Sequence, residues 1–195
     1  MGLIELYEHP NFSEWLILIL VLMFGSYAAL KIKNEKNQYL RTARLVDLNC
    51  FSLLVPSWWS VTADQKDFLK FERTDTRYDW YATFKVIEKD EVPTEAKLQS
   101  MIQEYKIKFD EGFEVENLRL LNEQKGFEIS RREGMATRNG IERTYVDLAV
   151  IDYKEKRLLA ESHSSILNGC VEGPYFEEVL RRLDLASTSR ESSNS

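Results

Sequence analysis

Between Glu14 and Lys31 the chain carries sixteen consecutive uncharged residues, WLILILVLMFGSYAAL. As a helix this run covers about 24 Å, a little short of the ~30 Å hydrocarbon core of a bilayer. Ile32 extends it, and the stems of Lys31 and Lys33 are long enough to carry their charges out to the interface. Trp15 and Tyr27 stand near the two ends, where interfacial aromatics are favoured. Asn11 can cap the helix, with Glu14 three residues later as in a capping box. A core helix would show an apolar stripe, whereas this segment is apolar all round. A cleaved signal peptide would open on basic residues, and residues 1–14 hold no Lys or Arg. The expectation is a short N-terminus over 1–13 and an uncleaved transmembrane α-helix over 14–32.

Charge sets its direction. No Lys or Arg precedes the span, while Lys31, Lys33, Lys36, Arg41 and Arg44 follow it. The positive-inside rule places the N-terminus outside and the main domain in the cytoplasm, at a cell (inner) membrane. Trp15, Lys31, Lys33 and Lys36 flank the membrane, and the lipid bilayer is the first expected partner. Cys50 and Cys170 are the only cysteines, too few for a disulfide framework, and reduced thiols are expected in that compartment. The chain carries a formal net charge of −6, with the acidic excess beyond residue 44. Nucleic acid draws its affinity from Lys and Arg at phosphates, so an acidic domain is not expected to bind it.

After a juxtamembrane linker over 33–48, the alternation of half-buried strands recurs. Cys50 to Val55 is the first, and 66–73 with 79–88 reads as a hairpin. Segments 126–134 and 141–152 flank Arg138-Asn139-Gly140, and Asn-Gly is a strong hairpin signal. Segment 156–167 returns after a charged turn at Lys154-Glu155, and a short strand at 118–121 is a further candidate. Two helices interrupt the strands. Residues 92–109 open on Pro93 and Glu95, with Leu98, Met101, Ile102, Tyr105 and Phe109 as the apolar stripe. Residues 173–185 carry Phe176, Val179, Leu180 and Leu183, with acids leading and Arg181 and Arg182 trailing. The expected class is α+β: a largely antiparallel β-sheet of about six or seven strands with two packing helices, preceded by one transmembrane α-helix. The domain is bounded at 49–185, and the polar residues 186–195 are expected to be disordered.

FSLLVPSWW at the start, the helix after Pro93, the GFEISRRE and YVDLAVI pair and the closing FEEVLRRL resemble the PsbP/DcrB-like α/β sandwich. The resemblance covers residues 48–185. It implies a non-enzymatic binding or assembly role, with another protein as partner. No lipobox cysteine is present, and a membrane helix ahead of the domain departs from the commoner arrangement.

Catalytic and metal-binding patterns are sparse. The only other histidine, His9, lies across the expected membrane from His163, so no two-histidine metal site forms in the domain. Thiol chemistry would need a cysteine beside His163, either Cys170 seven residues on or Cys50 if the first strand pairs nearby, and no local signature surrounds either. The eight glycines are scattered and form no phosphate loop. No cofactor, metal or catalytic residue is expected. The remaining candidates are Trp58 and Trp59 after Pro56. Trp58 is expected in the core and Trp59 exposed as a partner contact, since neighbours in an extended segment point opposite ways. The chain therefore reads as a membrane-anchored interaction or assembly domain. An accessory subunit of a larger membrane complex and a thiol-dependent hydrolase are the alternatives. Gly25, Ser26, Ala28 and Ala29 offer the small residues the first alternative would use.

Overall fold

The computed structural model describes residues 12–73, 79–116 and 126–186. It comprises two units, Met1–Thr42 and Ala43–Ser195. In the first, α1 (Phe12–Thr42) is a continuous helix of 31 residues. From Trp15 to Phe24, ten large apolar side chains in a row are each 47–75% exposed. Among the described residues no helix is long and apolar enough to cross a membrane. The stretch 14–32 is thus helical, but a membrane span is not shown.

The second unit runs β1 (Arg44–Leu48), β2 (Phe51–Val55), β3 (Ser60–Gln65), β4 (Phe68–Glu72), β5 (Trp80–Glu88), α2 (Thr94–Glu104), β6 (Ile107–Glu116), β7 (Glu128–Arg138), β8 (Glu142–Tyr153), β9 (Lys156–Ser164), α3 (Ile166–Arg181) and β10 (Asp184–Leu185). Seven strands form one antiparallel sheet in the order β3-β4-β5-β9-β8-β7-β6, and β1-β2-β10 form a second, also antiparallel. The α+β class and both expected hairpins are present. The β7–β8 turn places Asn139 and Gly140 at φ 52° and 74°, and Ile141 N–H donates to the Arg138 carbonyl at 3.1 Å. Asn-Gly is among the few dipeptides that readily adopt this left-handed pair. The β8–β9 turn at Lys154-Glu155 likewise sets Lys154 at φ 50°.

Each face of the large sheet has its own core. On one face Trp80, Ala82, Phe84, Ala149, Ile151, Leu158 and Ala160 pack with the small sheet and with Phe176, Val179, Leu180 and Leu183 of the closing helix segment. On the other, Val146, Leu148 and Val150 lie under Leu98, Met101 and Ile102 of α2.

Several boundaries differ from the sequence reading. Residues 44–48, expected as linker, form β1, which turns at Asn49 (φ 56°) and pairs Leu48 with Phe51. Strand β3 was hidden because it is an edge with most residues exposed, leaving no alternation. Helix α2 ends near Glu104 rather than 109, because Lys106 takes φ 52° and Ile107 starts a strand opposite Arg138. Ala186, assigned to the tail, is buried, and its N–H donates to the Cys50 carbonyl at 3.0 Å. The strand at 118–121 and the tail beyond 186 lie outside the described residues.

Helix α3 begins at Ile166, a full two turns before the expected 173, although Pro174 within it lacks a ladder donor. Its glycines give the reason. A Cβ on Gly169 would lie 2.1 Å from Cγ of Tyr145, and one on Gly173 would lie 3.1 Å from that ring's Cε1. The two glycines let α3 approach Tyr145 more closely than any side chain permits. Gly169→Ala is expected to destabilise the chain by about 1–3 kcal/mol or more through overpacking. Gly173→Ala should cost less. A denaturant midpoint of Gly169→Ala equal to wild type would show that the helix and ring can separate freely.

Beneath α3 the sheet also holds a buried ionic cluster. The Arg131 guanidinium donates twice to Asp147, at 2.9 and 2.7 Å, and also to Glu133. The Tyr145 hydroxyl donates to Glu133, and Glu177 lies 3.7 Å from Arg131.

Candidate functional site

Helix α2 packs over β6, β7 and β8, and among the described residues no helix packs to the same extent on the β4–β5 end of that sheet face. There a groove of about 370 Å³ runs beside α2. Phe68, Ile87, Met101 and Leu159 supply its apolar lining, and Lys85, Lys97 and Glu104 add charge. Strand alternation dictates the floor. On β5 the face reads Tyr81, Thr83, Lys85; on β9 it reads Leu159, Glu161, His163, paired Tyr81 to His163 and Thr83 to Glu161.

Glu161 is the hub. Thr83 Oγ1 donates to its Oε1 at 2.7 Å, and His163 Nε2 faces its Oε2 at 3.7 Å. Tyr81 stacks on the His163 ring at 5.2 Å, and Tyr105 meets it edge-on at 6.1 Å. Burial alone would raise the Glu161 carboxyl, but the interactions with His163, Thr83 and Tyr105 outweigh it and hold the group below the usual range. Burial, with the Glu161 charge behind it, pushes the Tyr105 phenol well above its ordinary value. Near neutrality the carboxylate is therefore ionised and the phenol protonated. Neither is poised for proton transfer, and the lone pairs of Glu161 are engaged by its neighbours.

The structure reverses the tryptophan expectation. Trp59 is 0% exposed, so it cannot be a partner contact, and Trp58 is the half-buried one. Alternation does not carry across Pro56, because the chain turns there and Trp59 N–H donates back to the Pro56 carbonyl at 3.2 Å. The Trp59 ring packs on Trp80 at 4.4 Å, and its indole N–H donates to Glu172 of α3 at 2.9 Å. Trp58 meets Tyr175 edge-on at 5.0 Å. Trp15 is exposed on α1, whereas the side chains of Lys31, Lys33 and Lys36 lie outside the described residues. Cys170 is exposed on α3 and Cys50 half-buried at the β1–β2 turn, where burial pushes its thiol up. Among the described residues no contact joins either thiol to His163, and no cluster could hold a metal ion.

No family model matches the sequence, and no curated protein does. Among solved structures the chain is similar to the cyanobacterial PsbP (CyanoP) of Synechocystis, at 11% identity and a TM-score of 0.52, over 74% of this chain and 93% of that one. The fold is PsbP-like. A Bacteroides thetaiotaomicron protein matches over 75% of this chain at 11% identity and a TM-score of 0.50, and the chain spans only 49% of its length. The Saccharomyces cerevisiae Ran-binding protein Mog1p matches at 9% identity and a TM-score of 0.45, over 75% of this chain and 97% of that one. Identities this low carry the architecture and nothing about role.

The sequence reading weighs His163 only as a partner for a cysteine thiol, gives Glu161 no role and counts Tyr105 in an apolar stripe. The available signal was the run of polar residues at alternate positions of two strands, Tyr81-Thr83-Lys85 and Glu161-His163. Pairing brings them together, and pairing is not written in either strand.

Proposed function

We propose that the chain is a single-pass membrane protein whose PsbP-like domain is a non-enzymatic docking module for another protein. Helix α1 is the anchor, with the N-terminus outside and the domain in the cytoplasm. The observation that carries the reading is the row Trp15–Phe24, ten large apolar side chains open to their surroundings. Water does not tolerate a helix apolar on every side, and a bilayer does. The basic residues that follow favour the stated orientation. On the domain, the half-covered sheet face offers Phe68, Ile87, Met101 and Leu159 between opposite charges, which suits an amphipathic protein segment better than a polyanion.

A photo-crosslinking residue in place of Lys85 tests both parts in membranes from intact cells. The chain should stay in the pellet after a carbonate wash and give a discrete protein adduct on irradiation. Recovery in the wash would overturn the anchor. Loss of the adduct from a pelleted chain would overturn the docking groove.

A further inference from the structure

The groove beside α2 has a direction. Arg157, which pairs with Ile87 of β5, donates to the Val92 carbonyl ahead of α2, and Tyr105, just after α2, meets His163, which pairs with Tyr81. Helix α2 therefore runs antiparallel to β5, from its Ile87 end to its Tyr81 end. Lys97 and Glu104 both line the groove, two helical turns and about 10.5 Å apart along this axis. Lys85 stands on the floor toward the Ile87 end, and Glu161, opposite Thr83, toward the Tyr81 end. Among the described residues the Lys85 and Lys97 ammonium groups and the Glu104 carboxylate have no ion-pair partner. One end of the groove is thus cationic and the other anionic.

We propose, resting on the docking role above, that the occupant is an amphipathic α-helix of a partner protein, lying parallel to α2 with acidic residues in its first turn and basic residues in its last. An extended segment has no edge to join here, because β4, β5 and β9 are each paired on both sides. A helix satisfies its own backbone, and the spacing suits one. Packed helices lie about 8–10 Å apart, about two strand spacings, so a helix beside α2, which packs over β7 and β8, comes to lie over β9 and β5. There Ile87, Met101 and Leu159 meet its apolar stripe. Charge sets the direction. Acids stabilise the first turn of a helix and bases the last. Such a helix brings its acids to Lys85 and Lys97 and its bases to Glu104 only when it runs parallel to α2. The aligned macrodipoles oppose this, but each end carries about half a charge against whole charges on the side chains.

A photo-crosslinking residue in place of Lys97 and, separately, of Glu104 tests this in the full chain, in membranes from intact cells. Mass spectrometry of the adducts should place both contacts in one segment of one partner, about seven residues apart, with the contact from position 97 nearer the partner's N-terminus. A spacing of about three residues would mean an extended segment, and the reverse order an antiparallel helix. Either result overturns the proposal and leaves the docking groove standing, as does an adduct from position 85 with none from 97 or 104. No adduct from any of the three positions overturns both. Charge is read separately, on exposed Lys85. With the crosslinker at position 97, Lys85→Glu should lower the adduct yield about two- to fivefold, and Lys85→Arg should preserve it. Equal yields from the two variants would overturn the charge order.

Discussion

Trp59→Ala is expected to cost the domain about 3–5 kcal/mol, the range for deleting a fully buried large aromatic. The ring fills the junction between Phe71, Trp80 and α3, and its N–H satisfies Glu172, which Arg73 also binds. Truncation therefore removes apolar burial, opens a cavity and strips a buried carboxylate of one donor at once. Trp58→Ala should cost about 1 kcal/mol, since a half-buried ring loses one edge contact with Tyr175 and a fraction of its burial. Denaturant melts of the two variants, followed by far-UV circular dichroism, measure the difference. Equal losses would mean that the pair acts as one unit, which the burial difference argues against. Whole-domain stability is typically ~5–15 kcal/mol, so the first substitution alone can leave the domain close to unfolding.

The second large effect belongs to Arg131. Arg131→Met leaves Asp147 and Glu133 buried without their cation, and breaking such a pair from one side costs about 3–5 kcal/mol. The same cluster sets a pH dependence. Burial pushes the Asp147 carboxyl up to about 7, with the nearby charges of Glu133 and Glu177 adding to that, against the opposing pull of Arg131. An acid raised above its unfolded value near 3.8 binds more protons in the folded state than in the unfolded one. Its contribution is fully present below about pH 4 and is lost as pH rises through about 7. Wild type should therefore lose stability between about pH 4 and 7 relative to Asp147→Asn, which keeps a neutral side chain throughout. Parallel slopes for the two proteins would assign the pH dependence elsewhere.

A strand with one face more deeply buried announced itself, since β5 shows its period in Trp80, Ala82, Phe84 and Val86, while β8, buried on both faces, reads as a nearly continuous apolar run and Asn139-Gly140 fixed the turn before it. Strand β3 did not, because an edge with both faces wet carries no alternation. The start of α3 was hidden by Gly173-Pro174, a pair that ordinarily opens a helix. Only the packing of Gly169 against Tyr145, twenty-four positions earlier in the chain, explains why the helix runs through it. The candidate sites were the least visible. Glu161 and His163 gain their partners from β5 and from the end of α2. Local pattern reports what a residue packs beneath, whereas these groups depend on which strand becomes the neighbour.

The neighbour of β5 is β9, and that adjacency has a cost in time. Tyr81 pairs with His163, and Trp80 with Ser164. Ribosomes add about 5–20 residues per second, so roughly 70 intervening residues take about 3–14 s to appear. Until then the β3–β4–β5 meander has nothing along its inner edge, and Trp59, Phe71 and Trp80 have no α3 to cover them. Pairings this distant in sequence also slow the search itself. A nascent chain of this protein thus spends seconds displaying its largest aromatic surface, an interval in which a holding chaperone would bind it most strongly.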